Sequence, residues 1–178
     1  LGAHRNNIKT GAIADFSSFS FHAVKNLTTA EGGAATWREI KGIDSQELYN
    51  QYQLFSLHGQ SKDAFSKEQN SSWEYDVVGP WYKCNMTDIT AAIGLAQLER
   101  YPDMLERRQQ VIKKYDQVCD RLGVKYLKHS TEQSRSSGHL YITRIPDITP
   151  ERRNDIITEM AQLGVTCNVH YKPLPMMS

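Results

Sequence analysis

The chain has 178 residues, 39% of them hydrophobic, which is enough to bury the core of one folded unit. Its 21 basic residues nearly balance its 20 acidic residues, so net charge gives no general attraction to nucleic acid or to an anionic membrane. Three widely spaced cysteines argue against a disulfide framework or a zinc site, and no apolar run is long enough to span a membrane, so we expect a cytoplasmic protein without a metal.

The first part of the chain predicts two strands joined by a turn. Ala14–Phe21 is rich in Phe and Ser, and Gly32–Trp37 is predicted to return beside it. Lys25 is therefore expected near the turn between two strands. The polar segment 60–80 is predicted to be a surface loop.

Three helices are predicted before residue 123. The first covers residues 44–57. The second begins after the capping residue Thr87 and ends at Pro102, and Gly94 permits close packing on one of its faces. The third covers residues 103–122 and carries charged residues that are expected to face solvent.

The last part of the chain alternates strands with a helix. Strands are predicted for residues 139–145 and 165–170, and a helix for residues 150–163, capped by Thr149. Such alternation is typical of a small α/β layer. We therefore predict a domain boundary near Gly123, which separates residues 1–122 from residues 123–178.

Lys25 is the first candidate for chemistry, because it lies among apolar and hydroxyl-bearing residues. A buried lysine loses its charge more readily and then becomes a good nucleophile toward an aldehyde, which is the basis of Schiff-base chemistry. The residues alone leave a second interpretation open, in which Lys25 is a turn lysine that points into water.

Residues 20–26 read Ser-Phe-His-Ala-Val-Lys-Asn and are followed by Gly32-Gly33. This block resembles the Schiff-base segment of the DegT/DnrJ family of sugar aminotransferases, which are fold-type I enzymes dependent on pyridoxal 5'-phosphate (PLP). The resemblance implies that Lys25 carries PLP and later moves the proton between two carbon positions in transamination. It implies that Ser20 hydrogen-bonds the cofactor phosphate and that His22 has only a supporting role. Without the resemblance, Ser20 and His22 are ordinary strand residues.

Residues 79–98 resemble the family's Gly-Tyr-Lys-x-Asn-Met-x-Asp loop and the Ala-Ala-x-Gly-x-x-Gln-Leu helix behind it. The resemblance implies a homodimer in which Asn85 reaches the neighbouring subunit's cofactor phosphate. Asn85 also lies just before a predicted helix N-terminus, which favours anions, although an Asn in a turn near a helix cap has the same pattern. Trp81 departs from the family, where glycine is common, and this bears on the loop conformation and the sugar pocket.

Residues 164–174 resemble the family's Gly-Ile-x-x-x-x-His-Tyr-x-Pro-Leu segment, which implies that His170 contacts the substrate. A histidine at a strand end is otherwise a structural residue. His139 is interpreted as packing. Lys83 and Arg108 are candidates to offer charge to a nucleotide diphosphate.

The resemblance implies an α/β fold, formed by part of the large PLP-binding domain of a fold-type I aminotransferase and most of a smaller α/β C-terminal domain. It implies a cytoplasmic homodimer that aminates a nucleotide-linked keto-hexose, with an amino-acid donor, expected to be L-glutamate, in polysaccharide or antibiotic sugar biosynthesis. Family chains extend beyond both ends of this sequence and carry upstream an Asp for the pyridine nitrogen and an aromatic that stacks on the ring. We therefore expect residues 1–178 alone to be poorly active or inactive.

Three alternatives remain open from the sequence. A PLP-dependent sugar dehydratase of the same family has a histidine at the lysine position, so Lys25 favours transamination. A non-catalytic fragment or dimerisation module of the same fold would lack the upstream Asp-x-Ala-His. A soluble α/β binding domain would require the matched blocks to be accidental.

Overall fold

The computed structural model describes residues 1–61 and 74–178, which form a mixture of short strands and helices. The described strands are β1 His4–Arg5, β2 Ile8–Lys9, β3 Phe16–Ser20, β4 Gly33–Trp37, β5 Lys125–Tyr126, β6 Ser134–Arg135 and β7 Thr143–Arg144. The described α-helices are α1 Ser45–Ser56, α2 Asp88–Leu122 and α3 Pro150–Gln162, and short 3-10 helices cover Thr10–Ala12 and Leu174–Met176.

Strands β3 and β4 form the antiparallel hairpin that the sequence predicts. Their register runs from Phe16 opposite Trp37 to Ser20 opposite Gly33. Lys25 lies in the connection between them, here called the Lys25 loop (residues 21–32). The hairpin therefore places the Lys25 loop at the end of a regular two-stranded ribbon.

Helix α2 runs without a break through Pro102, so the prediction of two helices separated at this proline was wrong. A proline inside a helix removes one backbone donor and costs about 3 kcal/mol. Packing on both sides of the proline offsets this cost. Tyr101 and Ile112 are both buried, and the Tyr101 hydroxyl donates to the carbonyl oxygen of Leu1 at 2.6 Å.

Helices α1 and α3 form close to the predicted positions, because each has a capping residue. The Asp44 side chain accepts a hydrogen bond from the backbone N–H of Gln46 at 3.1 Å. The Thr149 hydroxyl accepts from the backbone N–H of Arg152 at 3.2 Å. Each bond satisfies a donor that the first turn of a helix would leave free.

The two strands predicted in the last part of the chain are only partly present. Of residues 139–145, only Thr143–Arg144 is paired, with β5. Residues 165–170 form no strand, so that prediction was wrong. A strand needs a neighbour for its backbone groups, and in the described part of the chain residues 165–170 have no ladder partner.

The segment predicted as a loop, 60–80, lies largely outside the described residues, because the structure describes nothing between residues 61 and 74. At its described ends, Gln60 and Val77 form an antiparallel bridge. This bridge brings the two ends of the segment together beside the C-terminus of α1.

Strand β1 links the start of the chain to its later part by backbone pairing. It pairs with β2 on one side and with β6 on the other, so the residues that follow β6 return to the Lys25 loop. The buried side chains in the described part of the chain belong either to the Lys25 loop or to α2: Asn26, Leu27, Thr29, Tyr101, Gln109, Ile112 and Cys119. The core of the described residues therefore consists of part of the Lys25 loop and part of α2. The domain boundary near residue 123 stays a prediction.

Candidate functional site around Lys25

Lys25 is half-buried in a tight local turn. Its backbone N–H donates to the carbonyl oxygen of His22 at 2.9 Å. Its Nζ has no hydrogen-bond or salt-bridge partner within residues 1–61 and 74–178. A primary amine without a counter-charge is therefore available for chemistry at this position.

Helix α2 supports the Lys25 loop from below. The backbone N–H of Thr28 donates to Oε1 of Gln97 at 3.1 Å. Thr29 is only 1% exposed, and a Cβ built on Gly94 would lie 3.0 Å from its Cγ2. The packing that the sequence predicted at Gly94 is thus a contact between α2 and the Lys25 loop, which fixes the backbone that carries the lysine.

The Gly32-Gly33 pair closes the loop. Gly32 has a φ of 153°, and a Cβ there would lie 2.5 Å from the Thr29 hydroxyl oxygen. A Cβ on Gly33 would lie 2.7 Å from the carbonyl oxygen of Phe19. Any side chain at either position would displace the loop or the β3 backbone, so both glycines are explained by close approach.

Asn26, the residue after Lys25, joins the loop to a distant part of the chain. It is 7% exposed. Its Nδ2 donates to the carbonyl oxygen of Ser137 at 2.8 Å, and its Oδ1 lies 3.0 Å from Nδ1 of His139. A buried amide with both ends bonded holds its neighbours firmly.

Two side chains of α2 bond the carbonyl oxygens on either side of Ser137. Nε2 of Gln109 donates to the Ser136 oxygen at 3.0 Å, and the Arg108 guanidinium donates to the Gly138 oxygen at 3.4 Å. Together with Asn26, three side chains thus bind three consecutive carbonyl groups. This arrangement fixes the backbone that leads into His139.

Basic groups surround His139. Partial burial lowers the pKa of His139 below its ordinary value, and the positive charges of Lys25, Arg108 and His170 lower it further, as does the amino group of Leu1. Charges act on one another only over short distances. Lys25 and His170, proposed separately from the sequence, thus both contribute to the electrostatic environment of His139.

The sequence interpretation of His139 as packing missed this location. His139 is exposed as a whole residue, but its Nδ1 edge is held by Asn26 in a partly buried hydrogen bond. The sequence feature connected with this location of His139 is Asn26, the residue after Lys25, and the two positions lie 113 residues apart.

Ser20 and His22 lie at the entry to the Lys25 loop. Oγ of Ser20 accepts from the backbone N–H of His22 at 3.3 Å, which leaves the hydroxyl proton of Ser20 free to donate. The His22 ring lies 3.6 Å from the carboxylate of Glu31, with both side chains exposed. An exposed pair of this kind contributes little to stability.

Asn85 lies outside the Lys25 loop. It is exposed, its Oδ1 accepts a hydrogen bond from Nζ of Lys83, and it lines a cleft of about 890 Å³ between β4, α1 and the start of α2. Among the described residues it has no bond to Lys25, Ser20 or His170. Trp81 packs edge-on against Phe55 of α1, with ring centroids 4.8 Å apart.

The groups around Lys25 fit an aldehyde cofactor that carries a phosphate. Lys25 supplies an amine with no partner among the described residues, and Ser20 supplies a hydroxyl whose proton has no acceptor in the same part of the chain. Hydroxyl donors suit a phosphate because they satisfy its oxygens without a buried counter-charge. The basic groups near His139 add a positive potential that favours an anionic ligand.

Comparison with known structures gives the class of protein. Spr1654 of Streptococcus pneumoniae, described as a sugar aminotransferase and solved in its PMP form, superposes with a TM-score of 0.93 and 54% sequence identity over 100% of this chain and 45% of that chain. The same protein is also solved in its PLP form. The α/β fold is thus that of part of a fold-type I aminotransferase, as the sequence predicted.

The chain belongs to the DegT/DnrJ/EryC1/StrS aminotransferase family, whose sequence profile matches residues 1–178. It is 35% identical to the spore coat polysaccharide biosynthesis protein SpsC of Bacillus subtilis, over 92% of this chain and 41% of SpsC. It is 30% identical to the UDP-4-amino-4,6-dideoxy-N-acetyl-beta-L-altrosamine transaminase of Helicobacter pylori, over 98% of this chain and 43% of the transaminase. The chain thus spans less than half the length of these relatives.

None of the helices in the described residues is long and apolar enough to cross a membrane. The match of residues 1–178 to the family profile confirms the family resemblance that the sequence predicted. The roles of individual residues are proposals.

Proposed function

We propose that this protein is a PLP-dependent aminotransferase that converts a nucleotide-linked keto-hexose into an amino sugar, with L-glutamate as the amino donor. The observation that carries the proposal is the amine of Lys25, which has no partner within residues 1–61 and 74–178 and lies on a loop fixed by α2, in a chain whose whole length matches an aminotransferase family. The names of the relatives in Bacillus subtilis and Helicobacter pylori support a role in polysaccharide or surface-sugar biosynthesis.

The cofactor, when bound, supplies an electron sink that makes a proton on the carbon bearing the amino group acidic. Nζ of Lys25 is proposed to bind the cofactor aldehyde and, when released, to hold and return that proton. The Ser20 hydroxyl is proposed to donate to the phosphate. His170 is proposed to contact the substrate, as the resemblance of residues 164–174 to the family segment implies.

We propose that the active protein is a homodimer and that Asn85 serves the cofactor of the neighbouring subunit. Asn85 is exposed and is not joined to Lys25 within the described part of this chain. Large apolar side chains are exposed beside it, with Tyr82 and Ile89 each 77% exposed. Exposed apolar surface of this kind is typical of an interaction site.

A cytoplasmic location completes the proposal. Cys84, Cys119 and Cys167 all lie in described segments and all are unpaired, which suits a reducing compartment.

The test uses the protein expressed from its complete coding sequence, saturated with PLP and mixed with L-glutamate alone. We expect release of about one 2-oxoglutarate per subunit, since the donor half of the reaction needs no sugar. Lys25→Ala should release none, while Lys41→Ala, which changes an exposed lysine outside the site, should behave as wild type. Release by Lys25→Ala at the wild-type level would overturn the assignment of Lys25. A wild-type protein that binds PLP but releases no 2-oxoglutarate would overturn transamination from glutamate.

A further inference from the structure

Trp81 lies in a compact turn beside α1. Its backbone N–H donates to the carbonyl oxygen of Gly79 at 3.1 Å, across Pro80. This turn brings the indole back over Gly79, where an added Cβ would lie 2.8 Å from the ring. The indole also packs edge-on against Phe55 of α1, with ring centroids 4.8 Å apart. These two contacts seat the Trp81 side chain, and a side chain at position 79 would displace it.

The residues that follow Trp81 pair with the C-terminal end of α1. The backbone N–H of Tyr82 donates to the carbonyl oxygen of Phe55 at 3.1 Å. The backbone N–H of Cys84 donates to the carbonyl oxygen of Ser56 at 2.8 Å. Both bonds satisfy carbonyl groups that the last turn of a helix leaves free. The chain after Trp81 is thus joined to α1 by its backbone.

Asn85 comes directly after this pairing. Its exposed side chain lines the cleft between β4, α1 and the start of α2, and its Oδ1 accepts a hydrogen bond from Nζ of Lys83. No other hydrogen bond to this side chain is present within residues 1–61 and 74–178. The position of Asn85 therefore depends on its backbone, which is held after it by the capped start of α2 at Thr87 and before it by the pairing with α1.

We propose that Trp81 is a positioning residue for Asn85. The indole packs on Phe55 and Gly79 and so keeps residues 82–84 on α1. This pairing in turn fixes where Asn85 enters the cleft. A glycine at position 81 could make neither side-chain contact. The role of Asn85 toward the neighbouring subunit's cofactor rests on the proposed function. The ordering of the segment by Trp81 does not, and it can be measured without cofactor.

Hydrogen exchange of the cofactor-free protein, expressed from its complete coding sequence, tests the ordering. Trp81→Ala should speed exchange of the Tyr82 and Cys84 amides by about tenfold or more while the protein stays folded, because their bonds to α1 then open more often. Trp81→Phe keeps an aromatic ring and should restore most of the protection. Tyr115→Ala is the control, because it removes a ring that packs on Tyr141 and not on α1, and it should leave both amides protected. Unchanged exchange in Trp81→Ala would overturn the proposal.

A change on α1 tests the same contact without altering the turn. Phe55→Leu removes the ring that meets the indole and keeps an apolar, helix-forming side chain. It therefore decides the matter even if Trp81→Ala does not fold. Exchange at Tyr82 and Cys84 should again rise, by less than in Trp81→Ala. Exchange at the wild-type rate in Phe55→Leu would contradict a segment held by this pair of rings.

Cofactor binding tests whether the ordering acts through Asn85. Trp81→Ala should raise the Kd for PLP by about threefold or more when Asn85 is present. In an Asn85→Ala background it should have no further effect, because the positioned amide is already absent. Equal effects in the two backgrounds would overturn the positioning role. If Asn85→Ala alone binds PLP as wild type does, the proposed role of Asn85 fails, and the exchange rates still decide whether Trp81 orders the segment.

Discussion

Gly94 of α2 lies directly against Thr29 of the Lys25 loop. A Cβ at position 94 would come within 3.0 Å of Cγ2 of Thr29. Thr29 cannot retreat easily, because it is 1% exposed and its hydroxyl donates to the carbonyl oxygen of Glu31 at 2.8 Å. The position of the loop that carries Lys25 therefore depends on close packing against Gly94, which lies 69 residues further along the chain than the lysine.

Gly94→Val tests this contact. The added methyl groups must displace Thr29, and overpacking of this kind costs about 1–3 kcal/mol. We expect a loss of that size in the free energy of unfolding, measured by urea denaturation, with weaker binding of PLP. Ala92→Val, at an exposed position of the same helix, should cost less than about 1 kcal/mol, which is its helix propensity alone. Equal losses in the two variants would contradict close packing at Gly94.

Pro102→Ala should stabilise the protein. The substitution restores a backbone donor inside a continuous helix and removes a penalty of about 3 kcal/mol, of which we expect at least about 1 kcal/mol to appear in urea unfolding. Pro150→Ala is the matched control, because Pro150 is the first residue of α3, where proline is tolerated. A destabilised Pro102→Ala would show that the proline is required by the packing of α2.

Ser20→Ala should weaken PLP binding. A hydrogen bond to a charged group contributes about 1.5–3 kcal/mol, so we expect Kd to rise by about tenfold to a hundredfold in a fluorescence titration. Ser18→Ala removes the same atom from the same exposed face of β3 and should leave Kd unchanged. If both variants bind PLP as wild type does, Ser20 has no role at the phosphate.

His139 should make stability depend on pH. Its pKa in the folded protein lies below the ordinary value of about 6.5, so below that pH the unfolded chain takes up the proton more readily than the folded chain does. The stability of the folded state should fall as the pH drops through about 6.5. Urea unfolding at pH 7.5 and 5.5 should show a smaller decrease for His139→Gln than for wild type. Lys114→Gln, at an exposed position of α2, is the control and should keep the wild-type decrease.

The hairpin and the helix caps were predictable, because their signals are local. The Phe- and Ser-rich run before Lys25 and the glycines after it determine β3 and β4, and Asp44 and Thr149 mark the starts of α1 and α3. Lys25 itself was found only through its resemblance to a known segment, since an unpaired turn lysine has the same local pattern.

The remaining features depend on contacts that sequence patterns do not report. Pro102 lies inside a helix because packing outweighs its local preference. Residues 165–170 have the composition of a strand but no strand beside them among the described residues. The bond between Asn26 and His139 joins positions 113 residues apart, so a single sequence gave no reason to connect them.

The central claim is that Lys25 carries the cofactor. The most direct measurement is borohydride reduction of the PLP-loaded protein from the complete coding sequence, followed by proteolysis and mass spectrometry of the peptides. We predict that the phosphopyridoxyl group is found on Lys25, with stoichiometry near one per subunit, and that Lys25→Ala acquires no comparable label. Stoichiometric label on another lysine, or none on the wild-type protein, would contradict the account.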